Sequence, residues 1–305
     1  MWEYAELFDA EAEPEDPEGQ LSFWRDSVTA LRIGQMGYKR RTTKAGDRLE
    51  AEIYPVFGRE ERERLRAAKR NTTPEKQKRL NEQRAMHQLV LLMDANFGAG
   101  DYHLTLTYAG EEPSLKRCKK DVRNFLNRVK RAREKRGLED LKYIYTIGHD
   151  KNERIHVHLV TNGGISRNEL ERIWSQDKSG KTRGRTNAMI LQPDDHGLQG
   201  IASYLYKQNA RARASGEHQG ERSWCASRNL KKPKTRRKDC NCPKARVRRI
   251  AQDFPNEAKE VLEKLYPGYR FVSCEVRYSD ITEGIYIRGV LRRNNSIDNR
   301  KGVGA

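Results

Sequence analysis

No apolar run in these 305 residues approaches the roughly 18 to 20 needed for a membrane-spanning helix. The longest candidate, Leu89-Val90-Leu91-Leu92-Met93, stops at Asp94. The opening Met1-Trp2-Glu3-Tyr4 lacks the basic and apolar regions of a secretory signal. Cysteines number only five and fall at irregular spacing. That suits reduced thiols in a cytoplasm and argues against a disulfide framework. Cys240-Asn241-Cys242 has the look of half a zinc site, but no second metal-spaced pair follows it. There is no Gly-rich loop ending in Lys-Ser or Lys-Thr, which excludes a P-loop nucleotide site. Acidic residues are also short: 43 Asp and Glu face 61 Lys and Arg, leaving a formal charge of +18. A chain this basic is poised to bind a polyanion, because each neutralised phosphate releases counterions.

Hydrophobic residues make up 35% of the chain and charged residues 34%. This balance predicts a modest core carrying long polar helices. Residues 1–20 hold eight acids and no base, the pattern of an acidic flexible tail. Residues 21–95 read as a basic, mainly helical region, with Thr73 as an N-cap and Pro74 at the first helical position. Residues 96–213 are the best patterned. His103 to Tyr108, Leu141 to Ile147, Ile155 to Thr161 and Ala188 to Leu191 read as strands. A helix from Pro113-Ser114 to about Arg136 carries one apolar stripe, closed by Gly137. Ser166 and Glu169 form a capping box for a short helix, and another helix runs from Gly197 to about Arg213. This β-α-β-β-α-β-α order predicts an α+β fold with a ferredoxin-like or RRM-like antiparallel sheet and flanking helices. Residues 214–250 read as a basic connector, with eleven Lys or Arg and one acid between Arg228 and Arg249. Residues 251–292 read as a small C-terminal α/β segment, and 293–305 as a disordered tail.

The chemistry concentrates in Arg154-Ile155-His156-Val157-His158-Leu159. Alternate residues of a strand share a face, so His156 and His158 project together. Two imidazoles side by side form half of a metal site. In the last helix of this region, Tyr204 and Lys207 lie three apart on one face, and Tyr206 points roughly the other way. Thr105 and Thr107 also share a strand face, where they serve either as good strand formers or as contacts to the metal side. His103 and His196 read as ordinary histidines.

Taken in order, Leu104-Thr105-Leu106-Thr107-Tyr108, His156-Val157-His158 and Tyr204-Leu205-Tyr206-Lys207 resemble three motifs of the HUH endonucleases. These enzymes start rolling-circle replication of plasmids and single-stranded DNA phages. Asn96-Phe97-Gly98-Ala99-Gly100-Asp101 and Ser227-Arg228-Asn229-Leu230-Lys231-Lys232-Pro233 add to the likeness, which covers about residues 80–235. The resemblance implies a metal-dependent nickase and strand transferase, using Mn²⁺ or Mg²⁺ held by His156, His158 and a third side chain. Relatives often place a Glu shortly before the His pair, and the comparable residue here is His149, with Asp150 and Glu153 as alternatives. Three imidazoles would favour Mn²⁺ over Mg²⁺, which prefers oxygen ligands.

The resemblance selects Tyr204 over Tyr206 as the single nucleophile, giving a 5′-phosphotyrosine link and a free 3′-hydroxyl. Lys207 would steady the phosphate or the phenolate. Implied partners are single-stranded or origin DNA and a host helicase and polymerase, with no membrane. The basic helix 115–136 and the connector 228–249 would contact DNA phosphates, and Trp174 and Trp224 would either stack on bases or pack internally. Two other readings stand beside this one: a relaxase or transposase of the same chemistry, and a non-catalytic nucleic-acid-binding protein with an RRM-like sheet.

Overall fold

The computed structural model describes residues 37–60, 62–63, 73–149, 154–175, 182–214, 223–236, 238–254, 256–279 and 284–294. The expected acidic tail, the C-terminal tail beyond 294, and Asp150 and Glu153 lie outside them. The chain is α+β and divides into two units, one of residues 1–87 and 233–305, the other of residues 88–232.

The second unit is built on a five-stranded antiparallel sheet. Its strands are β3 (Tyr102–Thr107), β4 (Tyr143–His149), β5 (Ile155–Thr161), β6 (Thr186–Ile190) and β7 (Cys225–Ala226), in the order β6-β3-β5-β4-β7. All seven residues of the central β5 are buried, so it is covered on both faces. Its odd residues Val157 and Leu159 join Leu104 and Leu106 in one apolar core. Helix α2 (Leu115–Glu134) closes this face with Cys118, Val122, Phe125, Leu126 and Val129. Helix α3 (Arg167–Ser175) adds Leu170, Ile173 and Trp174. Trp174 is completely buried and donates its indole N–H to the Thr107 carbonyl at 2.9 Å. It is a core residue, and base stacking is ruled out by its burial.

Local chemistry sets the helix limits. The Ser114 hydroxyl accepts the Arg117 N–H at the start of α2, and Gly137 follows its end at φ 63°. The Ser166 hydroxyl accepts the Glu169 N–H at 3.3 Å. The Glu169 carboxylate does not return to the cap; it pairs with Arg136 at 2.5 Å. The outer face of α2 is almost purely cationic. Like charges one turn apart, such as Lys116 and Lys120, each cost the helix a few tenths of a kcal/mol.

The first unit corrects the expected division of the chain. Residues 37–56 are not helical: they form the hairpin β1 (Gly37–Ala45) and β2 (Arg48–Val56), turning at Gly46 with φ 59°. Strands β10 (Tyr269–Ser279) and β11 (Gly284–Arg293) are not a separate C-terminal segment, because β11 pairs with β2. Nor is the connector structurally uniform. Residues 234–235 and 240–242 pair with β1 as β8 and β9, giving a sheet ordered β10-β11-β2-β1-β8 with β9 also on β1. Residues 225–226 instead form β7 of the other unit. There, Ser227 accepts the Tyr143 N–H, Asn229 donates to the Leu141 carbonyl, and Lys231 donates to the Asn96 side chain.

Helices α5 (Lys244–Gln252) and α6 (Asn256–Leu265) supply Val247, Ile250, Ala258 and Val261 to a core with Ile53 and Ile287. Leu262 of α6 packs with Leu49, Ala51 and Leu291. It also lies where a Cβ on Gly289 would stand, so that strand position requires glycine. The long helix α1 (Pro74–Asn96) spans the residues at which the two units divide.

Candidate active site

The even residues of β5 face away from the α2 core. Register pairs His158 with Thr105 and Thr146, and His156 with Thr107 and Gly148. Since His103 lies two residues before Thr105, it joins the same face. Helix α4 (Gln199–Ala214) brings the tyrosine to these histidines.

Two anchors place α4. At its start, the Asp94 carboxylate near the end of α1 accepts the Leu198 N–H at 2.9 Å. Further along, the buried Asn209 amide donates to the Ile147 carbonyl at 3.1 Å. Between them, Ala202, Leu205 and Tyr206 are buried, while Tyr204 and Lys207 are exposed. Gly148 permits this approach, since a Cβ there would come within 3.3 Å of the Gln208 carbonyl oxygen.

The outcome is a cluster of rings. His156 and His158 stand 4.7 Å apart between centroids and nearly perpendicular. Tyr204 lies edge-on to His158 at 4.9 Å and to His103 at 6.1 Å. His103 stacks on His158 at 5.4 Å. His103 Nε2 and Thr105 Oγ1 both lie 3.3 Å from His158 Nδ1, so they share one nitrogen. Meanwhile His158 Nε2 is buried and has no hydrogen-bond partner, and the same holds for Thr146 Oγ1. Burying such atoms unpaired costs stability unless a ligand or function uses them.

Burial, followed by the neighbouring His156 and His103, pushes the His158 imidazole down to about 3. Burial likewise lowers His103. At neutral pH His158 is therefore an uncharged imidazole, the form that ligates metal.

These observations test the implied metal. His156 and His158 fit as two ligands, being adjacent, with the His158 imidazole neutral and one of its nitrogens orphaned. The structure does not bring His149 to them. It pairs with Ile155, and strand alternation puts it on the opposite face from His156 and Gly148. Its Nε2 lies 3.9 Å from Glu112, whose carboxylate also accepts the Ile155 N–H at 2.6 Å. Among the described residues no group of three His, Cys, Asp or Glu is arranged to hold a metal ion.

His103 is the neighbour that sequence reasoning set aside. Its signal was the alternation His103-Leu104-Thr105-Leu106-Thr107, which aligns it with the two threonines. The half zinc site is not assembled either: Cys240 and Cys242 lie on β9 against Arg40 and Tyr38, and Cys242 is buried.

No helix among the described residues is long and apolar enough to cross a membrane. No curated protein and no solved structure gives a significant match to the chain. Residues 101–209, from the start of β3 into α4, match the family model of replication-associated proteins of the ORF2 type, and the match supports a replication-initiator, Rep-like protein.

Proposed function

We propose that the second unit is a DNA nicking and joining centre of the HUH type, with Tyr204 as nucleophile, acting at the start of rolling-circle replication. The observation that carries this reading is the tyrosine ring 4.9 Å from His158, whose other nitrogen is buried without a partner. The strand order β6-β3-β5-β4, with α2 and α3 on one face, supports a split βαβ, ferredoxin-like core. The family match adds a role in replication initiation.

His156 and His158 would hold a divalent ion, Mn²⁺ or Mg²⁺, which when bound polarises a phosphoryl oxygen and offsets developing charge. His103 and Thr105 keep the His158 ring in place through Nδ1, so that Nε2 faces outward as the donor. Tyr204 is 43% exposed, so a strand can reach its hydroxyl. Its oxygen attacks phosphorus in line, the bond to the 3′ oxygen breaks, and the strand leaves with a 3′-hydroxyl. The second fragment remains as a 5′-phosphotyrosine. One phosphoester replaces another, so no nucleotide is consumed. Lys207, exposed one turn along α4, is within a helical turn of the phosphate so held.

The test uses labelled single-stranded DNA from the chain's own element with Mn²⁺ or Mg²⁺, resolved on a denaturing gel. A covalent protein–DNA band that is lost in Tyr204→Phe and His156→Ala, and kept in Tyr206→Phe, is the expected result. DNA binding with neither cutting nor linkage under either ion would replace this reading with that of a binding module.

A further inference from the structure

The cationic face of α2 belongs to the side of the sheet that does not carry the tyrosine. Its buried residues pack on Leu104, Leu106, Val157 and Leu159, and the histidines alternate to the other side. Lys116, Arg117, Lys120, Arg123, Lys130 and Arg131 are all exposed along α2. At about 1.5 Å per residue they extend over about 22 Å.

No acid interrupts the exposed stretch before Glu134, which pairs with Lys130 at 3.7 Å. The one other acid of the helix, Asp121, is buried and takes Arg117 at 3.1 Å. Lys116 and Arg117 also stand in the first turn, where the helix dipole disfavours cations. The surface therefore works against its own helix twice, by mutual repulsion and by position. A solvated face selected for stability would mix the two signs.

We infer that this outer face of α2 is a second DNA-binding surface, for the phosphate backbone of duplex DNA, separate from the path of the cut strand. The positions between the cations are Asn124 and Asn127, both exposed amides that can donate to phosphate oxygens. No aromatic side chain lies on the exposed face of α2, so it offers nothing for unpaired bases to stack on. The site face differs here, with Tyr204 and Met189 exposed. Placing the duplex beside a strand being cut rests on the nicking proposal; the binding itself does not.

The experiment measures fluorescence anisotropy of a labelled 30-base-pair duplex of arbitrary sequence across a salt series, with chelator present so that no cleavage occurs. Wild type is compared with Lys116→Gln/Lys120→Gln/Arg123→Gln, and a short single strand is run in parallel. The expected result is a salt slope on duplex that falls by about one per cation removed, falling further than on the single strand. The thermal midpoint should stay level or rise, because repulsion is relieved, so misfolding does not imitate the effect. An unchanged duplex slope overturns the inference, as does an equal fall on both DNAs. Each of these outcomes reads the same way whether or not the chain nicks DNA.

Discussion

In the first unit the polar face of the sheet is closed by charge. Glu50 is 1% exposed and takes Arg48 and His87, each at 2.7 Å. Asp239 accepts from Arg41 and from the Tyr54 hydroxyl, and Arg288 reaches Glu52 at 3.6 Å. The polar face of the second unit is buried in the same way but left open chemically. His158 Nε2 and Thr146 Oγ1 have no partner, and the imidazoles stand beside an exposed phenol. Each sheet packs an apolar core on one face and carries polar residues on the other. The first satisfies those residues and so is stabilised by them; the second holds them ready for something that binds.

The sharpest way to break this contrast is to remove the second unit's reactive groups. Tyr204→Phe should abolish covalent linkage to DNA and leave the thermal midpoint unchanged. His158→Leu should reduce cleavage at least about 10²-fold, as expected for a lost metal ligand. Its midpoint should hold or rise, because an unpaired buried polar group is exchanged for an apolar one. A large fall in stability with activity retained would reverse the roles assigned to the two sheets.

Glu50→Leu should do the opposite. It strands the buried Arg48 charge and should cost about 3 kcal/mol in urea unfolding, with cleavage per folded molecule unchanged. Acid titration separates the units further. Burial raises the Glu50 carboxyl, but the His87 hydrogen bond and charge, with Arg48 and Arg288, outweigh it and hold the group at about 2. Its folded pKa lies below the unfolded value near 4.5, so its stabilisation is present above that pH and is lost as pH falls toward 2. In the metal-free protein, His158 acts higher on the scale. Its folded value of about 3 lies below the usual 6.5, so the unfolded chain takes up the proton first and stability falls from about pH 6.5 downward. Unfolding followed by pH, with His158→Leu removing the upper phase and Glu50→Leu the lower, checks both assignments.

Smaller effects sharpen the comparison. His103→Leu removes a partner of His158 Nδ1 and should weaken Mn²⁺ binding about tenfold by calorimetry, with partial recovery in His103→Gln. Gly148→Ala crowds the Gln208 carbonyl, so cleavage should drop several-fold as α4 moves back, at a cost of about 1 kcal/mol.

Much of the second unit was legible because its elements carry strict periods. Leu104 and Leu106 alternate with threonines, the apolar stripe of α2 recurs at helical spacing, and parity alone joins His156 to His158. Helical phase separated Tyr204 from Tyr206, and the structure shows the first exposed and the second buried. His149 was misplaced because a turn's length does not fix hairpin register, and a shift of one residue changes the face. The β1–β2 hairpin was readable in Leu49, Ala51 and Ile53 alternating with Arg48, Glu50 and Glu52, and in Gly46-Asp47 between two strands. Charge in Lys39-Arg40-Arg41 hid it. Pairing of β2 with β11 was beyond reach, since residues more than 200 apart leave no local signal of contact.

The most direct test of the central claim is a mass-spectrometric map of the protein–DNA adduct after nuclease and protease digestion. A nucleotide phosphate on Tyr204, in the peptide that also contains Tyr206, is the result predicted. Attachment at Tyr206, or a strand cut with no tyrosine adduct in a metal-loaded reaction, would contradict it.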